Sequence, residues 1–431
     1  MKVKVIGAGL AGCEAAYRLA KEGFEVELFD IKPKAYTPAH SNADFGELVC
    51  SNSLKSDDVY GNACGLLKEE MRILGSLTMQ AAEASRVPAG GALAVDRDLF
   101  ARFITEKIKS EDKINIVCGE VQSVPAENCI VATGPLTAGA LAEDIANVTG
   151  GGLHFYDAST PIVSAESIDM TRAFAGGRYG KGGDDYINCP MTKEEYKAFY
   201  AALTSAERAD LHSFEKREIF EGCMPLEVMA ARGEDTLRFG PFKPVGLRDA
   251  EGRSYYAVLQ LRKENIQGSA YNLVGCQTNL KFGEQKRVFS LVPALKEAQF
   301  LRYGVMHRNT FINSPACLDA DFSLRGGTVF FAGQITGVEG YVESAASGIL
   351  AAIHLARRLK GLPRAIPPRD TVCGALSEYI SSPNADFQPM NANYGLLGAA
   401  ATGIRDKKER YRYLSERALK NIREYKNTIC Q

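Results

Sequence analysis

Short apolar runs and an amphipathic segment alternate at the start of the chain. Lys2–Ile6 and Phe24–Phe29 have the apolar character of buried strands, and Leu10–Lys21 between them has helical periodicity. Two further apolar runs, Lys113–Cys118 and Asn128–Thr133, predict more strands. Strands that alternate with helices in this way are typical of a parallel sheet with helices packed on its faces.

A strand–helix pattern returns near the other end of the chain. Gly327–Gln334 predicts a buried strand, Ile335–Gly340 a glycine-rich loop, and the segment from Tyr341 a helix. Asp406–Lys426 predicts a further, strongly charged helix, which is either a solvated surface or a contact for a polyanion. We expect these segments to complete a domain that the middle of the chain interrupts.

The pattern differs between Lys181 and about Leu318. Thr192–Ala206 predicts a helix there, and short strands are predicted near Tyr255–Leu261 and Tyr271–Val274 among proline-rich turns. We therefore predict a first part of the N-terminal domain at residues 1–184, an insertion for the substrate at 185–319, and a second part of the N-terminal domain at 320–431.

A glycine-rich loop joins the first predicted strand to the first helix. It has the spacing Gly-x-Gly-x-x-Gly, and an acidic residue follows the second predicted strand. In this context the first glycine allows a tight turn, the second lets a pyrophosphate approach the backbone, and the third lets helix and strand pack closely. The free N–H groups at the helix start attract negative charge, and the acid accepts a ribose hydroxyl. The predicted cofactor-binding residues are Gly7, Ala8, Gly9, Leu10, Ala11, Gly12 and Asp30.

Two later segments favour FAD over a nicotinamide dinucleotide as the bound cofactor. The strand at Asn128–Thr133 ends in Ala-Thr-Gly, and the strand at Gly327–Gln334 opens into a second glycine-rich loop, as in flavoproteins that close over the flavin. No second Gly-x-Gly-x-x-Gly lies between a predicted strand and helix, so we expect NADH or NADPH only as a transient reductant. These segments add Thr133, Gly134, Gly333 and Gln334 to the predicted cofactor site. The predicted fold class is α/β, a Rossmann-type FAD-binding domain of the glutathione-reductase-like class interrupted by an α+β insertion domain.

Composition and charge narrow the class of protein. Hydrophobic residues make up 45% of the 431 residues and charged residues 24%, which is typical of a globular enzyme. The formal net charge of −1 does not by itself indicate nucleic-acid binding, although a local basic face remains compatible with it. The eleven cysteines include no Cys-x-x-Cys, so we expect neither a metal site nor a dithiol. Because Met1 leads straight into a predicted strand and no membrane span is predicted, we expect a cytoplasmic protein.

Two cysteines lie in surroundings that suit chemistry. Cys50 lies in Glu47–Leu54, where polar residues beside an apolar pair predict a loop at the end of a strand. Cys223 lies in Glu221–Glu227, where glycine and proline favour a loop. Each of the two is either a catalytic thiol or an ordinary buried cysteine on this evidence alone. Basic residues and tyrosines gather in the same third of the chain as Cys223, and such residues contact phosphates and stack on unpaired bases.

Several segments together resemble one family, the bacterial FAD- and folate-dependent tRNA (uracil-5-)-methyltransferases. The similarity runs nearly end to end and is carried by Gly7–Gly12, Glu47–Leu54, Gly180–Met191, Glu221–Glu227, Gly240–Leu247, Gly283–Val288, Arg302–Pro315, Gly333–Gly348 and Phe387–Leu397. The segment Gly333–Gly348 also resembles the large flavoprotein that modifies wobble uridines, but that relative has a long C-terminal helical region which this chain lacks.

The resemblance implies methylation of uridine C5 in RNA, at the T-loop uridine 54 of tRNA. A thiolate that adds to uracil C6 makes C5 nucleophilic enough to attack 5,10-methylenetetrahydrofolate, and a base then removes the C5 proton. Reduced FAD provides the reducing equivalents that complete the methyl group. The implied cofactors and partners are FAD, the folate, NADH or NADPH and tRNA, and nothing in the sequence indicates a stable protein partner.

The resemblance also assigns roles to residues. It implies that Cys223 is the nucleophile at C6 and that Cys50 assists proton removal or protects the methylene group beside the flavin, although the two roles could be exchanged. Basic residues of the Gly283–Val288 and Arg302–Pro315 segments would hold RNA phosphates or the folate glutamate. The implied RNA or folate contacts are Asn279, Lys286, Arg287, His307 and Arg308.

The chain departs from the family pattern at a few positions. Cys276 and Asn279 stand where the family usually has phenylalanine and histidine, and Ser41–Asp44 also differs. If the family histidine packs on the pterin, Asn279 weakens that contact. The alternatives are therefore the same chemistry on 23S ribosomal RNA, or a flavoprotein oxidase or RNA-binding protein without methyl transfer.

Overall fold

The computed structural model describes residues 1–37, 39–209, 224–398 and 403–430. The strands are β1 Lys2–Ile6, β2 Glu25–Asp30, β3 Ser53–Ser56, β4 Arg86–Val87, β5 Ala92–Val95, β6 Ile114–Cys118, β7 Cys129–Val131, β8 Gly152–Ala158, β9 Ile162–Ser164, β10 Phe174–Ala175, β11 Tyr186–Met191, β12 Ala257–Lys263, β13 Ala270–Leu273, β14 Phe300–Arg302, β15 Met306–Ile312 and β16 Val329–Phe331. The α-helices are α1 Leu10–Lys21, α2 Ala63–Leu74, α3 Leu77–Ala84, α4 Arg97–Lys109, α5 Gly139–Thr149, α6 Lys193–Ser205, α7 Leu226–Ala230, α8 Thr236–Phe239, α9 Phe282–Phe289, α10 Ser314–Cys317, α11 Tyr341–Leu359, α12 Val372–Tyr379 and α13 Lys407–Ile429.

A five-stranded parallel sheet forms the centre of the first domain. Its strand order is β16-β7-β1-β2-β6, and every neighbouring pair is parallel. The apolar side chains of these strands are buried, as continuous apolar runs predict for a sheet covered on both faces. Because β16 pairs with β7, the two ends of the chain share one sheet, which confirms the predicted Rossmann-type α/β fold.

The insertion has its own sheet and its own core. A six-stranded sheet in the order β10-β11-β12-β13-β9-β14 packs against α6 and α9 in a second cluster of buried residues. The antiparallel pair β8 and β15 joins the insertion to the first domain. Two strands of the insertion sheet, β9 and β10, lie before residue 185, where we expected the insertion to begin. The sheet of the insertion therefore starts at Ile162, because β9 pairs with β13 and β14.

The charged C-terminal segment forms a docked helix. Asp406 begins it by accepting the N–H of Glu409 at 2.9 Å, and α13 continues to Ile429. Leu414, Ala418 and Ile422 are fully buried along one side of α13, so this helix closes part of the first core. Within the described ranges, no helix is both long enough and apolar enough to cross a membrane.

Candidate active site

The glycines of the first loop each meet a different steric demand. Gly7 has φ +98°, and a Cβ there would lie 2.5 Å from the carbonyl oxygen of Ala132. A Cβ at Gly12 would lie 1.7 Å from the carbonyl oxygen of Gly7, so only glycine lets α1 approach β1 this closely. A Cβ at Gly9 would meet no protein atom within 4 Å. Gly9 therefore faces open space at the start of α1, where a pyrophosphate needs room and helix N–H groups supply hydrogen bonds.

Asp30 lies at the end of β2, beside this loop. One carboxylate oxygen accepts the N–H of Ala8 at 2.7 Å, and the other accepts the N–H of Lys32 at 2.8 Å. These two bonds fix the carboxylate at the wall of the cleft and leave each oxygen a further lone pair. A ribose hydroxyl can use that capacity, which is the role predicted for Asp30.

The predicted cofactor residues surround one cleft of about 430 Å³. Its lining includes, from the predicted set, Gly7, Ala8, Gly9, Leu10, Ala11, Asp30, Thr133, Gly134, Gly333 and Gln334. Gly12 packs behind the loop instead of lining the cleft. The open space at Gly9, the helix start and the acid at the end of β2 together fit a dinucleotide such as FAD, and Gly333 at φ +86° brings the second glycine-rich loop to the same cleft.

Cys50 also lines this cleft, where it meets Tyr341 at the start of α11. The Cys50 sulfur lies 3.0 Å from the Tyr341 hydroxyl. That hydroxyl oxygen accepts the N–H of Cys50 at 2.8 Å and the N–H of Ser51 at 3.3 Å. Burial, followed by the neighbouring Cys50, raises the pKa of Tyr341 well above its ordinary value. The hydroxyl therefore keeps its proton and can donate it toward the sulfur.

Arg97 binds the loop that carries Cys50. Arg97, the first residue of α4, donates to the carbonyl oxygens of Leu48 and Val49 at 3.0 Å. It also forms a buried ion pair with Glu264 of the insertion, with 2.8 Å between Nε and Oε2. Arg97 therefore links the loop that carries Cys50 to the insertion.

Arg262 of β12 approaches the same loop from the insertion. Its guanidinium donates to Asn52 Oδ1 at 2.9 Å and to Ser51 Oγ at 3.0 Å. Asn52 in turn donates to the carbonyl oxygen of Lys263 at 2.8 Å. The insertion thus contacts the two residues that directly follow Cys50.

Most of the other described cysteines are buried and unreactive. Burial raises the pKa of Cys64 to about 11, of Cys129 to about 12 and of Cys317 to about 11. Burial also raises the pKa values of the remaining core thiols, Cys13, Cys189, Cys276 and Cys373. A thiol that holds its proton this firmly is a poor nucleophile at neutral pH, which agrees with an ordinary packing role.

Three of the residues predicted to contact RNA or folate have described side chains, and all three lie outside the cleft. Asn279 is buried in the insertion, where its side chain donates to the carbonyl oxygen of Ala209 at 3.2 Å. Lys286 and Arg287 are exposed on α9, and Arg287 pairs with Glu284 at 2.6 Å. His307 and Arg308 belong to β15, but their side chains lie outside the described part of the structure, as does the whole of Cys223.

Sequence reasoning missed the residues that hold Cys50. The sequence pattern predicts Tyr341 only as the first residue of a helix, and it assigns no role to Arg97 or Glu264. The position of Tyr341 directly after the glycine-rich loop that ends at Gly340 was the available signal, since a side chain there faces the cleft.

The fold and the cleft define a class of protein, a dinucleotide-binding α/β enzyme with an inserted domain and a thiol on the cleft wall. Residues 2–363 match the family model described as glucose inhibited division protein A. The chain therefore belongs to this family, and its relatives group it with the TrmFO proteins.

Those relatives match over the whole chain. A protein of Acetivibrio thermocellus named methylenetetrahydrofolate--tRNA-(uracil-5-)-methyltransferase TrmFO is 56% identical over 98% of both chains. A protein of the same name from Staphylococcus carnosus is 52% identical over 99% of both chains. Among solved structures, Aquifex aeolicus GidA in its form II crystal has a TM-score of 0.72 at 15% identity and covers 99% of this chain and 73% of that one. This last likeness concerns the fold alone.

Proposed function

We propose that the protein methylates uridine C5 in tRNA, with methylenetetrahydrofolate as the carbon donor and FAD as the redox cofactor. The observation that carries the proposal is the position of the Cys50 thiol on the wall of the dinucleotide cleft, 3.0 Å from the Tyr341 hydroxyl. The printed name of relatives 52% to 56% identical supports the same reaction.

FAD is held by the residues that line the cleft. The N–H groups at the start of α1 would bind its pyrophosphate, and Asp30 would accept a hydrogen bond from its ribose. Thr133, Gly134, Gly333 and Gln334, which line the same cleft, would hold the rest of the cofactor. When bound, FAD supplies the reducing equivalents that convert the transferred methylene group into a methyl group.

The protein itself supplies the thiols for covalent catalysis. Cys223 adds to uracil C6, which makes C5 a carbon nucleophile, and Cys50 takes part in removing the C5 proton. The Tyr341 hydroxyl, which keeps its proton, orients the Cys50 sulfur and donates toward it when the sulfur is charged. A thiolate in this position has a hydrogen-bond donor on one side and the cleft on the other.

The proposal also names the RNA target and the reductant. The target is the T-loop uridine 54 of tRNA, and NADH or NADPH reduces the flavin without a binding domain of its own. Lys286 and Arg287, exposed on α9, attract RNA phosphates together with His307 and Arg308. Asn279, buried in the insertion core, supports the shape of this region instead of meeting the folate directly.

A single comparison tests the function. We expect 5-methyluridine to disappear from tRNA, and not from ribosomal RNA, when the gene is deleted from its host. The purified protein should require methylenetetrahydrofolate and NADH or NADPH, and S-adenosylmethionine should not replace them. If the modified base is lost from 23S ribosomal RNA alone, the substrate is ribosomal RNA and not tRNA. Unchanged modification in both RNAs would mean that the protein is a flavoprotein that transfers no methyl group to RNA.

A further inference from the structure

Three aromatic rings of the insertion form a parallel stack with one open end. The Phe282 and Tyr303 ring centroids are 4.9 Å apart with 13° between the ring planes. The Tyr303 and Phe300 centroids are 5.3 Å apart with 5° between the planes. Phe282 is 55% exposed although Tyr303 covers one of its faces, so its other face is open to solvent.

A buried glutamine fixes this stack. The Gln285 amide nitrogen donates to the carbonyl oxygens of Leu280 and Gly304, both at 2.7 Å. Its amide oxygen accepts the N–H of Gly304 at 2.8 Å. Gln285 is fully buried, and its three bonds join the residue after Tyr303 to the start of α9. The ring of Tyr303 is therefore held against Phe282 by the backbone and not by ring contact alone.

The strand β14, which leads into Tyr303, reaches the candidate active site. Arg302, which directly precedes Tyr303, lies within electrostatic range of Cys50 and Tyr341. On the other side, the N–H of Leu226 donates to the carbonyl oxygen of Gln277 at 2.7 Å, which brings the segment after Cys223 beside the chain that leads to Phe282. The segment that carries the rings thus contacts both the insertion core near Leu226 and the strand that reaches Cys50.

Exposed cations lie beside Phe282, and two of them, Lys281 and Arg287, pair with Glu207 and Glu284. Lys286 is exposed one turn further along α9. Lys281 precedes Phe282, and its ion pair with Glu207 is 2.8 Å long between two exposed side chains. Such an exposed pair contributes little stability and yields readily to a phosphate. An open aromatic face between lysines is the arrangement by which proteins bind unpaired nucleotides.

We propose that the open face of Phe282 stacks on an unpaired base of the RNA substrate, in the same loop as the uridine that is modified. The proposal rests on the proposed function, because it assumes that the substrate is RNA with an unpaired loop. A base on the open face of Phe282 extends the ring stack that Phe300 and Tyr303 begin, and Lys286 holds a phosphate beside it. An apolar protein partner fits less well, since it would remove water from the exposed Lys286 ammonium and offer no negative charge in return.

A fluorescent RNA tests this contact directly. The probe is a tRNA T-arm stem-loop with 2-aminopurine at one unpaired loop position, tried at each position in turn, with the flavin-loaded protein. Stacking quenches 2-aminopurine, so we expect binding of wild-type protein to lower the emission at one position. Phe282→Leu keeps an apolar side chain but removes the aromatic face, so it should abolish the quenching and weaken RNA binding about tenfold. Phe282→Trp should retain both.

Phe239→Leu is the matched control, because Phe239 is 81% exposed on the same insertion and stacks on no ring among the residues that the structure describes. It should bind and quench as the wild type does. If Phe282→Leu still binds and quenches like the wild type, the proposed contact is wrong while the proposed function stands. If that variant instead raises the KM for methylenetetrahydrofolate and leaves RNA affinity unchanged, Phe282 contacts the pterin and the proposal is overturned. If wild-type protein binds no stem-loop, the RNA substrate itself is wrong.

Discussion

The hydroxyl of Tyr341 lies 3.0 Å from the sulfur of Cys50, although 291 residues separate them in the chain. The contact joins a loop of the first part of the nucleotide-binding domain to the first residue of a helix in its second part. Because the same hydroxyl oxygen accepts two backbone N–H groups of the loop, it fixes the direction in which the sulfur points.

Removal of the Tyr341 hydroxyl should therefore slow the chemistry of Cys50. In Tyr341→Phe, two N–H groups lose their acceptor and the sulfur loses a donor that is worth roughly 1.5–3 kcal/mol to a charged partner. We expect alkylation of Cys50 by iodoacetamide, followed by peptide mass spectrometry, to slow by about tenfold. Tyr379→Phe is the control, because that hydroxyl donates to the carbonyl oxygen of Gln388 instead. Equal alkylation rates in wild type and Tyr341→Phe would show that the hydroxyl does not act on the thiol.

A side chain at Gly9 should expel the cofactor without unfolding the protein. A Cβ there meets no protein atom within 4 Å, so the side chain of Gly9→Val enters the space in which the pyrophosphate would lie. We expect the purified variant to be folded by circular dichroism and to lack the FAD that denaturation releases from the wild type. Gly91→Val is the matched control, since a Cβ at Gly91 also meets nothing within 4 Å but lies outside the cleft. Full flavin content in Gly9→Val would refute the assignment of the loop.

The two proposed catalytic cysteines should differ in their ability to trap RNA. A target uridine replaced by 5-fluorouridine cannot lose its C5 substituent as a proton, so a thiol adduct at C6 should persist on a denaturing gel. Cys223→Ala should abolish both the adduct and methylation while FAD remains bound. Cys50→Ala should abolish turnover and still permit the adduct. Cys430→Ala, at an exposed position near the end of α13, should do neither.

Two other outcomes would change the roles proposed for these cysteines. An adduct that forms in Cys223→Ala but not in Cys50→Ala would exchange the two roles. Methylation at the wild-type rate in both variants would exclude the thiol mechanism.

Arg262 should affect turnover more than RNA binding. Its two bonds to Ser51 and Asn52 need the forked geometry of a guanidinium, which lysine does not reproduce. We expect Arg262→Lys to lower kcat severalfold and to leave the KM for tRNA and the flavin content near wild-type values. Arg253→Lys, an exposed arginine of the insertion, should match the wild type. A change confined to KM would instead assign Arg262 to substrate binding.

Stability should depend on pH through the buried Glu70. Burial raises the pKa of Glu70 from 4.5 to about 7, although the N–H groups of Val372 and Cys373 oppose the shift. A raised carboxyl pKa means that the folded state binds the proton more tightly, so this contribution is complete below pH 4.5 and is lost as the pH rises through 7. A shift of this size corresponds to about 3 kcal/mol.

Glu70→Gln should remove that dependence. Relative to the wild type, its free energy of unfolding in urea should rise by about 2–3 kcal/mol between pH 5 and pH 8, because the amide carries no charge. A constant difference between the two proteins across this range would mean that Glu70 does not titrate there.

Local sequence determined the first βαβ unit and the cofactor loop. The strand β1, the helix α1 and the acid at the end of β2 are consecutive, and their apolar periods and glycines act over a few residues. The predicted α1 bounds are the observed ones, and the charged C-terminal segment forms the predicted helix with Asp406 as its cap. Each of these features depends on contacts between residues a few positions apart, so the pattern of a single sequence is enough to predict it.

Only the tertiary structure decided which residues surround the thiol. Tyr341 comes from the far end of the chain, while Arg262 and Glu264 come from the insertion, and no periodicity links them to Cys50. The same holds for the insertion boundary, since β9 belongs to the second sheet only through its pairing with β13 and β14. Hydrogen bonds and ion pairs between distant segments depend on how two separately formed sheets pack together. The sequence pattern therefore determined the first βαβ unit, the C-terminal helix and the cofactor loop, and packing determined the chemical surroundings of Cys50.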